Sequence, residues 1–306
     1  MRKIFYITTC LFLLVITSCK KTVLKQMSNP ATGVQIKLIH AAPGVPALDA
    51  FVNGIHITPN VNVSVTDNAV PTSIVTGYSY LGLFPVSNYA VVASGNTTIK
   101  IATSTPVPAL VSKQTVTPGS TVGNITQTTV DGSAYSVFTI GLPGSATAGL
   151  TTKIVEDKFP PAVISGKAYI RLAQLIPNGA AVDIAGTYTP TGAAAIVKTL
   201  ISNVGYANVT DFVAVDVNAL SSTSYTFQMY LTGTTTKLGA VSAAISLTPG
   251  RYYTIIGRGL AADYVVPGAG ITLKASTRPV LPTTDPTTKY PEIYFNPAGI
   301  TFYTNK

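Results

Sequence analysis

Few side chains in this sequence can do chemistry. It has two histidines, His40 and His56, and 11 Asp+Glu in 306 residues. His40 precedes Asp49 across the segment Pro43-Gly44-Val45-Pro46. A turn there lays one strand beside the next and can bring imidazole to carboxylate, the pairing that a general base needs. The same two groups can instead tie down the turn, Asp49 accepting backbone N–H bonds and His40 donating one. A metal centre would need several converging His, Asp or Glu ligands, which the sequence does not offer, and no cofactor is expected. There is no Gly-x-Ser-x-Gly elbow and no Gly-rich phosphate cradle between a strand and a helix. The adjacent acids Glu156-Asp157 stand beside a lysine and two prolines, not as the facing pair of a glycosidase.

The segment that holds His40 occurs twice. Val34–Gly54 reads VQIKLIHAAPGVPALDAFVNG, and Ala168–Gly186 reads AYIRLAQLIPNGAAVDIAG. Without gaps, Ile36, Lys37, Leu38, Pro43, Leu48 and Asp49 recur as Ile170, Arg171, Leu172, Pro177, Val182 and Asp183. An ordered repeat of this length indicates a duplicated unit. Further on, Gly132, Tyr135 and Gly141 recur as Gly250, Tyr253 and Gly259. Each unit therefore opens with strand-Pro-strand-Asp and closes with Gly-x-x-Tyr and an apolar run. His40 is not repeated, since Gln174 stands at its place. Glutamine can donate a hydrogen bond but cannot act as a base. His40, Pro43, Asp49, Pro177 and Asp183 are therefore read as residues of a structural turn, and no catalytic residue is assigned.

The elements that position these residues are short strands. Hydrophobic residues make up 46% of the chain and charged ones 10%, with 25 Gly and 21 Pro. That mixture suits short strands joined by turns. Val34–Ala41 alternates as a half-buried strand, Ala47–Val52 follows it, and Asn53-Gly54 is a hairpin signal. The fold class expected is all-β, two tandem antiparallel β-sandwich (immunoglobulin-like) domains. The expected boundaries are 34–145 and 168–276, with a linker at 146–167 and a Pro/Thr-rich C-terminal segment at 277–306. The terminal β runs of that segment can complete the second sheet. One short helix is expected, over Ala193–Ile201.

The N-terminus reads as an address. Residues 1–18 carry Arg2 and Lys3, then a mostly apolar run from Ile4 to Ile16 that is too short to span a bilayer comfortably. Ile16-Thr17-Ser18-Cys19 resembles the bacterial lipobox, which implies cleavage before Cys19 and its lipidation. Two or three acyl chains suffice for stable anchoring. The only other cysteine, Cys10, lies inside the signal, so disulfide staples are not expected. Residues 19–33 read as a tether. The aspartate that retains lipoproteins at the inner membrane is absent after Cys19, so the expected location is the outer membrane. Of the 20 Lys+Arg, five (Arg2, Lys3, Lys20, Lys21 and Lys25) fall in this region, and the rest are scattered. Nucleic-acid binding is therefore not expected.

The strand, His-Ala-x-Pro and Pro-Ala-x-Asp-x-x-x-Asn-Gly pattern, here Ile39–Pro43, Pro46–Asp49 and Asn53-Gly54, resembles the bacterial family called domain of unknown function 4397. Tyr80-Leu81, Tyr89–Val91 and Gly132–Val137 are similar to its later features. The second unit departs at Gln174, Gly179-Ala180 and Gly186. The resemblance implies an extracytoplasmic β-sandwich module, often lipid-anchored, and brings no catalytic residues.

The function expected is a lipid-anchored, non-enzymatic envelope protein that binds a polysaccharide or protein partner, or serves a structural role. The alternatives are an extracytoplasmic hydrolase using His40 and Asp49, or an accessory subunit of a surface assembly docked through the C-terminal segment. Among the 16 Tyr, the clusters Tyr78/Tyr80 and Tyr252/Tyr253 are candidates for stacking on sugar rings.

Overall fold

The computed structural model describes residues 32–67, 70–111, 114–160, 163–190, 192–277, 292–294 and 297–306. Gly33–Lys306 form one compact unit. Every regular element among the described residues is a strand. The first half holds β1 (Val34–His40), β2 (Leu48–Val52), β3 (Ile55–His56), β4 (Val61–Asp67), β5 (Val70–Thr76), β6 (Leu83–Phe84), β7 (Ala90–Val92), β8 (Gly95–Thr103), β9 (Thr121–Thr129), β10 (Ala134–Ile140) and β11 (Thr151–Glu156). The second half holds β12 (Lys167–Gln174), β13 (Val182–Tyr188), β14 (Ile196–Val204), β15 (Asn208–Val209), β16 (Val213–Asp216), β17 (Thr223–Leu231), β18 (Lys237–Leu238), β19 (Ile245–Leu247) and β20 (Tyr252–Arg258). After it come β21 (Tyr264–Val266), β22 (Ile271–Lys274), β23 (Glu292–Tyr294) and β24 (Gly299–Thr304).

Each half is a sandwich-like pair of sheets with the same connections. In the first, β11-β10-β1-β6, with β7 also on β1, packs over β3-β2-β8-β9. In the second, β24-β20-β12-β15, with β16 also on β12, packs over β14-β13-β17-β18, with β19 also on β17. The opening and closing strands of each half run parallel, unlike most of the other pairings, which are antiparallel. Ile36 lies opposite Tyr135, and Ile170 lies opposite Tyr253. The two repeated signatures thus meet in one register in both halves. Between the sheets, alternate residues interdigitate: Leu38, Ala50, Ile101 and Val137 in one half, Leu172, Ile184, Phe227 and Ile255 in the other.

Three expectations need revision. β1 is not half-buried: six of its seven residues are buried, on both faces. The sheets β1/β10 and β12/β20 cover each other's outer faces through Ile39, Ala41, Phe138, Ile140, Ala173, Leu175, Ile256 and Tyr303. Ala193–Ile201 is not helical, and its C-terminal part lies in β14. The apolar spacing there suits a helix, but the β-branched Ile196, Val197, Thr199 and Ile201 favour the strand that pairs with β13. Residues 146–167, expected as a linker, contain β11, which adds to β10 as an edge strand. Most of the 277–306 segment lies outside the described residues. Its last run, β24, is an integral strand, pairing with β20 from Tyr253↔Thr304 to Arg258↔Gly299.

Candidate functional site

β1 ends at His40, and the chain turns at Pro43-Gly44 into β2. The His40 ring is fully buried. Its Nε2 faces two carbonyl oxygens, Pro46 at 3.0 Å and Val45 at 3.3 Å. Its Nδ1 faces the Ala42 N–H at 3.4 Å. Carbonyls only accept and an amide N–H only donates, so the neutral tautomer with the proton on Nε2 is the one that fits. Burial pushes the imidazole pKa down to about 4, against the pull of the two carbonyls. The rings of Tyr78 and Tyr80 stand edge-on to it at 6.1 and 5.8 Å.

The second corner repeats this pattern with different atoms. Gln174 ends β12, and its Nε2 donates to the Ala180 oxygen at 3.3 Å. Its Oε1 accepts from the Ile176 N–H at 3.5 Å. Ala180 and Ile176 are the counterparts of Pro46 and Ala42, so glutamine reproduces the imidazole's donor and acceptor. The main chain matches as well. Val45 N–H bonds Ala42 O, and Gly179 N–H bonds Ile176 O. Leu81 and Ala207, both with positive φ (62° and 61°), donate to the carbonyls of His40 and Gln174. Pro43 and Pro177 are both buried in their turns.

The structure does not join His40 to Asp49. Asp49 Oδ1 meets His56 Nε2 at 3.2 Å and Thr58 Oγ1 at 3.5 Å, and Thr58 Oγ1 lies 3.1 Å from the same His56 nitrogen. A hydroxyl–imidazole–carboxylate relay needs the hydroxyl and the acid on opposite ring nitrogens. Here both crowd Nε2, so His56 cannot pass a proton between them. Asp183, at the position of Asp49, accepts backbone N–H bonds from Asn203 at 2.7 Å and Gly233 at 3.0 Å. Those donors hold its carboxyl below the usual range. Among the described residues, no group of three His, Cys, Asp or Glu could hold a metal ion. Cys19 lies outside the described residues.

The densest polar cluster lies where the two halves meet. Arg171 and Asp157 are an ion pair, both almost fully buried. Asp157 also accepts from Ser136 Oγ at 2.8 Å, from Tyr89 and from Asn305. Thr254 bonds both Arg171 Nε and Asn305 Oδ1. These residues sit at paired positions of the duplicated halves: Lys37 with Arg171, Ser136 with Thr254, Asp157 with Asn305. The Asp157 N–H bonds Ala134 O just as the Asn305 N–H bonds Tyr252 O. Lys37 donates to the Ser87 oxygen at 3.2 Å and lies over the Tyr89 and Tyr303 rings. Burial lowers its pKa, while Asp157 pulls the other way. Tyr89, Tyr303 and Asn305 reach the wall of a cleft of about 840 Å³, but the Arg171–Asp157 pair behind them is buried and largely self-satisfied, which suits a clamp between sheets better than a reactive site.

Two further cavities open where the halves differ. An apolar pocket of about 290 Å³ lies beside the first corner, against Val63, Val65 and Ile74 of the β4–β5 hairpin. A cleft of about 650 Å³ lies in the second half, lined by the end of β13 (Thr187, Tyr188), Thr189-Pro190, Asp216 to Asn218, and Ser221 to Thr226 without Tyr225. The sequence reading missed this cleft. The available signal was the Ser/Thr/Asn-rich run from Asn218 to Ser224. The tyrosines it singled out serve packing: Tyr78, Tyr252 and Tyr253 are buried and Tyr80 is half-buried.

No curated protein matches the chain. Residues 34–185 match the family model described as Domain of unknown function (DUF4397). The match takes in the whole first half and both strands of the second corner, up to Ala185, and over those residues the chain belongs to the DUF4397 family.

Proposed function

We propose that this chain is a lipid-anchored, non-enzymatic protein of the cell envelope, held at the outer membrane through Cys19, and that its two sandwich-like halves bind a polysaccharide or protein partner or serve a structural role. The observation that carries the non-enzymatic part is the twin corner. The one buried histidine makes the same two hydrogen-bond types that Gln174 makes at the equivalent place, and neither bond needs a titrating group. The anchoring part rests on Ile16-Thr17-Ser18-Cys19 and the charged and apolar residues before it. A hydrolase built on His40 and Asp49 has no geometric support, because the two side chains bond different partners.

The test is membrane fractionation with acyl labelling of the wild-type chain and Cys19→Ala. The wild type is expected in the outer-membrane fraction and labelled, the variant soluble and unlabelled. A variant that stays labelled and membrane-bound overturns the anchoring. For the non-enzymatic part, hydrolase turnover that His40→Gln abolishes overturns the reading.

A further inference from the structure

The duplication makes it possible to separate what the fold requires from what one copy has added. In the first half, β7 ends at Val92 and β8 begins at Gly95. In the second, the matching strands β16 and β17 are separated by Val217 to Ser222. In the first half, β2 ends at Val52 and the chain turns at Asn53-Gly54. In the second, β13 runs on through Thr187 and Tyr188, which occupy the places of those turn residues. The cleft of about 650 Å³ lies between these two additions. The shared scaffold does not need it.

Its chemistry is narrow. Tyr188 is half-buried, with its ring stacked on Tyr225 at 4.7 Å and 21°. Tyr225 is in turn stacked on Phe227 and fixed by a bond from its hydroxyl to the Asp216 oxygen. The aromatic platform is therefore rigid before any ligand arrives. Thr187, Thr189, Ser221, Ser224 and Thr226 also line the cleft. Asn218 spends its Oδ1 on the Leu220 N–H at 2.9 Å, and its NH2 has no partner among the described residues. Asp216 is the one charged residue of the lining, and Lys167 already pairs with it. Leu220, 96% exposed, is held at the rim by that Asn218 bond.

We propose that this cleft binds a neutral polysaccharide. A tyrosine ring offers a face for the C–H side of a pyranose, hydroxyl and amide side chains of the lining can meet its hydroxyls, and the Asp216 oxygen that Lys167 does not hold can accept one of them. A single, already paired carboxylate with no cation facing the ligand disfavours uronates and sulfated chains. This reading rests on the polysaccharide branch of the proposed function and gives it a place and a charge class.

The test is affinity electrophoresis of the detergent-purified full chain in gels containing dextran, mannan, xylan or a β-1,3-glucan, with polygalacturonate and hyaluronate as anionic controls. At least one neutral polymer is expected to retard the wild type. Tyr188→Ala and Asp216→Asn are each expected to weaken that binding about tenfold or more. Asn218→Ala, which leaves the ring stack untouched, is expected to weaken it about threefold with no change in melting temperature. The proposal is overturned if no neutral polymer retards the chain, if only the anionic polymers do, or if the three variants bind like the wild type. None of these outcomes touches acylation at Cys19, so the anchoring stands or falls separately.

Discussion

The corner around His40 and the corner around Gln174 are two solutions to one problem. Both must cap a turn that buries a proline, and both must present a donor to one carbonyl and an acceptor to one N–H. Imidazole and carboxamide do this equally well, but only imidazole can titrate. The contrast recurs between the halves. Lys37 and Arg171 occupy matching places, yet the carboxylate is present once, as Asp157, with neutral Asn305 at its counterpart. What the duplication keeps is the geometry of donors and acceptors. Which member of a pair carries charge is free to differ, and that is where the two halves should respond differently.

The largest difference is expected from Asp157→Ala against Asn305→Ala. Removing Asp157 leaves the Arg171 guanidinium buried without its counter-charge, a loss of about 3–5 kcal/mol in unfolding free energy. Removing Asn305 takes one donor from Asp157 and one bond each from Thr254 and Tyr89 but leaves the Arg171–Asp157 pair in place, a loss of about 1–2 kcal/mol. Urea denaturation of both variants checks this. Equal losses would mean that the carboxylate contributes only as a hydrogen-bond acceptor.

Acid should distinguish the corners next. The folded-state value of His40, about 4, lies below its ordinary 6.5. The unfolded chain therefore takes up a proton that the folded chain refuses. The contribution of His40 is fully present above about pH 6.5 and is lost as the pH falls towards 4. The shift corresponds to about 3 kcal/mol. His40→Gln should remove this limb while keeping near-wild-type stability at pH 7, and Gln174→His should add a second limb. Denaturation curves at pH 7, 5.5 and 4.5 give the difference directly. An unchanged acid limb in His40→Gln would show that His40 is not held neutral.

How much of this was legible depends on which neighbours a residue has. The corners could be read because each lies within one short segment: Pro43 and Asp49 recur as Pro177 and Asp183 in plain alignment. The matching Gly-x-x-Tyr signatures marked the closing strands. The burial of Lys37 and Arg171 could not be read. A basic residue alternating with apolar ones looks like a solvated face, and only the packing of one half on the other covers it. Asp157, in a segment that reads as a linker, becomes the counter-ion only in three dimensions. The cleft escaped notice for a similar reason. Tyr188 and the Asn218–Ser224 run are distant in sequence, and the pairing of β13 with β17 brings them together.

Asp49 and Asp183 offer a smaller contrast. Asp183 holds two backbone N–H groups, one of them at Asn203, which has φ 55° beside an irregularity in the β13–β14 pairing. Asp183→Ala frees both donors and should cost about 1 kcal/mol at pH 7. Its lowered pKa means that this contribution is present above the ordinary carboxyl value and fades as the pH falls through the folded one. Asp49→Ala frees His56, which is 39% exposed and can reach water, while the buried Thr58 hydroxyl keeps the Ala50 N–H and His56 as partners, so it should cost less. Thermal melts of the two variants at pH 7 test the order, and a larger loss for Asp49→Ala would reverse it.

The smallest effect is expected at Lys37. It occupies the place of Arg171, but its ammonium donates to the Ser87 carbonyl and otherwise faces the Tyr89 and Tyr303 rings. Burial already disfavours its charge. Methionine is similar in length, keeps the contacts with the rings and removes a desolvated cation. Lys37→Met should therefore change stability by less than about 1 kcal/mol in either direction, whereas Arg171→Met should lose about 3 kcal/mol or more by orphaning Asp157. The double variant Arg171→Met, Asp157→Asn should recover part of that loss, because no uncompensated charge remains buried. A large loss in Lys37→Met, of the size expected for Arg171→Met, would mean that the two cations share the one carboxylate about equally.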